Sequence, residues 1–240
     1  EEMKKISLLK DHFIATISHE LRSPLTPIGM HVEMLKDYGV LGHLNKDQLV
    51  AVNSIYENAE RLGRLVEDLL DIQKLSVDKM KFSEEEFRAE LFIIDLINDF
   101  SRSIKSKKDK VKIKLINSSK EKITVETDRK RLRQVFDNLI RNAIDFVPSD
   151  NGKIEIGFRS ADREIIFYVK DNGHGIPQEV QKNLFNKFCQ GNTSISRRRE
   201  GLGLGLTISK RIVENLGGRM WFESKEGVGT AFYFSIPWRK

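Results

Sequence analysis

Along the first eighty positions, apolar residues recur at spacings of three and four. Ile6, Leu9, Phe13, Ile17, Leu21, Leu25, Ile28, Val32 and Leu35 fall on one face of a single long helix. The pattern stops at Gly39-Val-Leu-Gly42 and resumes with Leu49, Val52, Ile55, Ala59, Leu62, Val66 and Leu69. Asn45 stands at the N-cap of this second helix, with Gln48 placed to close a capping box. Two such helices joined by a short loop predict an antiparallel hairpin. A lone hairpin leaves part of its apolar stripe in water, and pairing two copies into a four-helix bundle buries the rest. Residues 1–80 are therefore expected to form a homodimer. The alternative is that the stripe packs on the chain's own second domain.

From about residue 81 the texture turns to mixed α and β. The spacing predicts a helix over 87–106, with Leu91, Ile94, Leu96 and Ile97 among its core residues. Val111–Ile116 and Ile123–Thr127 alternate with period two and read as half-buried strands. Asp128 sits where an N-cap belongs, ahead of another helix. Strands are predicted near 153–160 and 164–170, a helix over 204–216 ending at Gly217-Gly218, and closing strands at 219–224 and 229–236. The fold class is α+β: a helical hairpin over 1–80, then helices on one face of a mostly antiparallel sheet over 81–240.

Charge sharpens this division. The net charge of +6 splits into −3 over residues 1–80 and +9 over 81–240, so the second part attracts polyanions. No run approaches the roughly 20 apolar residues that cross a bilayer. The single cysteine, Cys189, excludes an internal disulfide framework and a cysteine-rich zinc site, and favours a cytosolic address. Because the chain opens Glu1-Glu2, it reads as a piece of a longer protein.

Four clusters carry candidate chemistry. In His19-Glu20-Leu-Arg-Ser23-Pro24, the imidazole and the acid are helix neighbours about 100° apart around the axis, a nucleophile beside a proton acceptor. With Ser23 where a second His would stand, the zinc-protease pattern is absent. Asn138 and Asn142 lie four apart on one helix face, a position where asparagine is a poor helix former and its amide oxygen suits Mg²⁺ or phosphate-bound water. Asp171-Asn-Gly173-His-Gly175-Ile176-Pro177 follows an apolar strand, placing a carboxylate that can accept from an amine beside glycines that let the backbone come close to a ligand. Gly201-Leu-Gly203-Leu204-Gly205-Leu206 runs into a helix and offers backbone N–H groups to an anion. It has neither the dinucleotide-binding nor the P-loop spacing.

In their order and spacing these clusters resemble the catalytic core of a sensor histidine kinase, over almost the whole chain. His19–Leu25 is similar to the H box, Asn138–Asn142 to the N box, Asp171–Gly175 to the first glycine box, Phe185–Phe188 to the F box, Gly201–Leu206 to the second glycine box, and Gly227–Thr230 to the last glycine turn. The resemblance implies a dimeric hairpin bearing the phosphoacceptor His19, with Glu20 as general base, followed by an α/β sandwich of the gyrase/Hsp90 ATP-binding type. It further implies that ATP and Mg²⁺ are the nucleotide and cofactor. Asp171 would bind the adenine amino group beside Thr230, and Phe146 would pack on the base. Gly173, Gly175 and Ile176 would line the same pocket. Asn142 would ligate Mg²⁺ with Asn138 in support, and Gly201, Gly203, Leu204, Gly205 and Leu206 would hold phosphates. A lid is implied over roughly 186–201. The implied partner is the receiver domain of a response regulator, and the implied setting is the cytosolic portion of a longer sensor.

Three departures qualify the match. Asp145 stands where many relatives carry a phosphate-binding Lys or Arg, which leaves Lys187 and the Arg197–Arg199 run, Arg198 included, to supply positive charge. Leu202 replaces a small hydroxyl residue. Ser23 replaces the Thr or Asn of relatives competent as phosphatases, so Ser23 is the candidate for any phosphatase role. Two rival readings stay open: a non-kinase ATPase of the same superfamily, and a degenerate kinase serving as a dimeric scaffold. Nucleic-acid binding lacks a recognition motif, and the +9 is matched more simply to a triphosphate.

Overall fold

The computed structural model describes residues 20–36, 42–76, 80–105, 111–117, 122–187, 189 and 203–238. The chain divides into two compact units, Glu1–Met80 and Lys81–Lys240.

The first unit is a helical hairpin. Its helix α1 is described over 20–36 and α2 runs Lys46–Ser76. The start of α2 is locked reciprocally: Gln48 N donates to Asn45 Oδ1 at 2.8 Å, and Asn45 N donates to Gln48 Oε1 at 2.9 Å. Between the helices, Tyr56 Oη donates to Glu33 at 3.2 Å and Lys36 Nζ lies 4.5 Å over the Tyr56 ring. Val32, Val52 and Val66 are buried. Ile55 remains 51% exposed and Leu62 41%, although both belong to the apolar stripe of α2. The break at 39–42 falls mostly outside the described residues.

The second unit begins with β1 (Glu85–Arg88), α3 (Ala89–Lys105), β2 (Lys112–Asn117), β3 (Thr124–Thr127) and α4 (Arg129–Phe146). It continues with β4 (Lys153–Ala161), β5 (Glu164–Asp171), the short α5 (Gln178–Gln181), α6 (Gly205–Asn215), β6 (Met220–Lys225) and β7 (Gly229–Pro237). The main sheet has the order β2-β4-β5-β7-β6; β2 runs parallel to β4 and the other three pairings are antiparallel. Strand β3 does not join it, but pairs with β1 in a separate two-stranded ribbon.

Helix α4 forms for local reasons. Asp128 accepts from Arg131 N at 2.8 Å as its N-cap, and its other carboxylate oxygen accepts from Ser83 N at 2.8 Å. Leu132, Val135, Phe136, Leu139, Ile140 and Ala143 give it one buried face, and Pro148 stops it just beyond Val147. Phe136 is the hub of the core, packing edge-on against Phe92, Phe167 and Phe234 with centroids 5.1–5.8 Å away. At the far end of α6, Gly217 (φ 80°) and Gly218 return hydrogen bonds to Glu214 O and Val213 O, the paired closure that a left-handed glycine allows.

Two expectations are corrected here. Helix α3 starts at Ala89 instead of 87, because 85–88 is drawn into β1 by pairing with β3, and Ala89 N continues that link to Ile123 O at 3.0 Å. Its buried face is Phe92, Ile93, Leu96 and Phe100; Leu91 is 49% exposed, Ile94 is exposed as well and Ile97 is half-buried. The run Leu91–Ile97 is apolar on several faces, so the spacing alone leaves its rotation open. Tertiary packing settles it: Phe92 turns inward against Phe136 of α4.

Candidate nucleotide-binding site

Several described candidates of the second unit lie on α4 or beside its two ends. Asp171 is the last residue of β5 and is buried; its Oδ1 accepts from Gly173 N at 2.8 Å, which tightens the turn after the strand. Burial pushes the carboxyl above the usual range, and the N–H groups of Gly173 and Thr230 pull it part of the way back. Its register partner across the sheet is Thr230, the second residue of β7. Any side chain at Gly229 would strike the Asp171 carbonyl.

The loop after Asp171 is held from two sides. Ile176 N donates to Ser224 Oγ at 2.8 Å, and the same hydroxyl lies 2.9 Å from Thr230 Oγ1. Gly227 N donates to His174 O at 2.7 Å. On the other side, the carbonyl of Phe146 lies 2.7 Å from where a side chain on Gly173 would begin. The Phe146 ring meets His174 edge-on at 4.9 Å and stays 37% exposed. The buried Gly173 and Gly175 and the half-buried Ile176 thus lie between the end of α4 and the β6–β7 turn.

The other end of the face meets α6. Gly205 is the first residue of that helix, and its N-cap, Leu204, makes no side-chain hydrogen bond. Leu204 buries its side chain and Leu206 is half-buried, so any contact of these residues with an anion would come from backbone. Asn138 donates from Nδ2 to Ser209 Oγ at 2.9 Å, and its amide oxygen packs against Gly205. Asn142 is half-buried one turn further along α4. From Asn138 to Phe146 is eight residues, about 12 Å of helix. Asp145 and Lys187 are exposed.

In the first unit Glu20 and Ser23 are exposed and share a helix face three residues apart. His19, Arg198 and Gly201 lie outside the described residues, as does most of the 186–201 stretch. The sequence reading missed Ser209, Ser224 and His174. Their signal was slight: a small hydroxyl inside an apolar run, a serine in an edge strand, and a histidine in a glycine turn.

Comparison with known proteins fits this geometry. Residues 9–76 match the His Kinase A (phospho-acceptor) domain, and residues 127–240 match the histidine kinase-, DNA gyrase B-, and HSP90-like ATPase family. The chain is 34% identical over 238 residues to Sensor protein kinase WalK of Staphylococcus aureus, covering 98% of this chain and 55% of that protein. Longer versions of the same relative are 38% covered, so the chain spans about half or less of the curated relatives it matches. Among solved structures it resembles full-length ShkA in complex with AMPPNP, with TM-score 0.73 and 26% identity over 94% of this chain and 45% of that one. It also resembles histidine kinase ThkA in complex with response regulator protein TrrA, with TM-score 0.62 and 26% identity over all of this chain and 64% of that one. The chain carries the catalytic core of a sensor histidine kinase, made of its phosphoacceptor and ATP-binding domains. No helix among the described residues is long and apolar enough to cross a membrane.

Proposed function

We propose that this chain is an ATP-dependent protein-histidine autokinase that phosphorylates His19 and passes the phosphoryl group to an aspartate of a response-regulator receiver domain. The observation that carries this reading is the placement of α4, whose Phe146 end meets the Asp171 glycine loop while its Asn138 end meets the uncapped start of α6. A base bound at the first end and phosphates at the second would lie along one helix face. Residues 1–80 act as the dimerisation and phosphotransfer domain, and residues 81–240 as the catalytic domain. The exposed Ile55 and Leu62 support a homodimer through the hairpin.

In the nucleotide pocket Asp171 accepts from the adenine amino group with Thr230 beside it, and Phe146 covers the base. Gly173, Gly175 and Ile176 shape the loop, and Gly203 to Leu206 offer N–H groups to phosphate oxygens. Among the described residues no cluster of three His, Cys, Asp or Glu side chains stands ready for a resident metal. The donor chemistry instead fits Mg²⁺ arriving with the triphosphate, held on the protein side by the amide oxygen of Asn142. Bound there, it would neutralise phosphate charge. The His19 imidazole nitrogen forms a bond to the γ-phosphorus as the bond to the ADP oxygen breaks, and Glu20 takes the imidazole proton. The phosphoramidate then serves as donor to the receiver aspartate, by analogy with the complex of ThkA and TrrA.

Incubation with Mg²⁺ and γ-labelled ATP beside His19→Gln tests the reading. Label that is acid-labile, alkali-stable and absent from the variant is the expected result. ATP binding without label would move the assignment to a non-kinase ATPase. Failure to bind ATP would move it to a scaffold, for which the acidic Asp145 is the structural reason.

A further inference from the structure

Asparagine costs about 0.5 kcal/mol relative to alanine inside a helix, so Asn138 in the middle of α4 calls for a tertiary reason. It has one in α6. The amide nitrogen donates to Ser209 Oγ at 2.9 Å, and the amide oxygen occupies the space that a side chain on Gly205 would need. The glycine here leaves room for the amide: any Cβ would displace the Asn138 side chain from its place beside Ser209. Ser209 is 1% exposed and cannot touch a ligand. On another side of the same helical turn, Thr207 Oγ1 donates to Phe185 O at 2.9 Å.

We infer that Asn138, Ser209 and Gly205 form a clasp that fixes the first turn of α6 against α4, making Ser209 a positioning residue for triphosphate binding. The inference deepens the proposed function and rests on it. N–H groups at a helix start hold phosphate only where the helix places them, and a misplacement of about 1 Å is costly. Asn138 carries that placement through its side chain to a turn whose N-cap, Leu204, makes no side-chain hydrogen bond. The clasp acts on the phosphate end of the site and leaves the base end, at Asp171 and Phe146, untouched.

The test compares binding of Mg²⁺-AMPPNP and of adenosine by calorimetry, using the full chain and its Ser209→Ala, Asn138→Ala, double and Gly205→Ala variants. Unfolding midpoints from tryptophan fluorescence accompany each variant. Ser209→Ala is expected to weaken AMPPNP binding about five- to tenfold, which is about 1–1.4 kcal/mol, and to leave adenosine binding within about twofold. The double variant should bind no more weakly than Asn138→Ala alone, because both remove one interaction. Gly205→Ala should show the same phosphate-selective loss. Unchanged AMPPNP affinity in Ser209→Ala, or equal losses for both ligands, overturns the clasp while the ATP-binding reading survives. A wild-type chain that binds neither ligand overturns both.

Discussion

The two long helices α2 and α4 treat their apolar faces in opposite ways. Helix α4 buries six residues in a core built around Phe136, and its polar edge is left for Asn138 and Asn142. Helix α2 is longer, yet within one chain it buries Val52 and Val66 and leaves Ile55 and Leu62 exposed. The difference lies in the number of neighbours. The α/β unit supplies a sheet, α3 and α6 to complete its own core, whereas a two-helix hairpin presents more apolar surface than one partner helix can cover. One unit closes its core within the chain, and the exposed stripe of the other is the surface that the proposed dimer would cover.

The sharpest way to break this comparison is to remove the hub of the finished core. Phe136→Ala should destabilise the α/β unit by about 3–5 kcal/mol. Both tryptophans, Trp221 and Trp238, lie in that unit, so urea unfolding followed by their fluorescence reads it directly. A midpoint close to wild type would show that the ring cluster is not what holds the unit together.

A second variant probes the hairpin through its charge. Burial, aided by the neighbouring Asp71 and Glu67, pushes Asp68 on α2 up to about 6. A carboxyl that binds its proton more tightly folded than unfolded favours folding at low pH. That contribution is lost as pH rises from about 4, the unfolded value, through about 6. Asp68→Asn should therefore stabilise the helices at neutral pH by on the order of 2 kcal/mol, and flatten their stability between those pH values. Helical circular dichroism during thermal unfolding at pH 4.5 and pH 7 measures both effects.

Ile55→Glu sharpens the contrast from the other side. It should weaken dimerisation at least tenfold, about 1.4 kcal/mol, by sedimentation equilibrium, and leave the tryptophan-monitored midpoint unchanged. A dimer of undiminished strength would place the interface elsewhere. The smallest effect expected is at the site itself. Asp145→Lys should tighten ATP binding by about two- to fivefold, under about 1 kcal/mol, because the position is exposed and screened. Calorimetry at two salt concentrations would show the gain shrinking as salt rises.

Much of this was legible from local signals. The reciprocal bonds of Asn45 and Gln48 and the cap at Asp128 form within four residues, and the sequence spacing anticipates them. The same holds for the closure at Gly217-Gly218. Helix α3 shows where such signals fail: Leu91 and Phe92 are both apolar, yet Phe92 packs against Phe87 and Phe136 while Leu91 stays exposed.

By itself, then, the sequence determined the helices and strands other than β1 and the short α5, the hairpin with its apolar stripe, and the order of boxes that marks the family. Those features depend on periodicity and on contacts a few residues apart. The tertiary structure alone decided that β2 lies parallel to β4, that Ser224 ties Ile176 to Thr230, and that Asn138 reaches Ser209. Each of these joins residues dozens of positions apart, where spacing along the chain carries no record of distance and only the packing of sheet and helices brings the partners together.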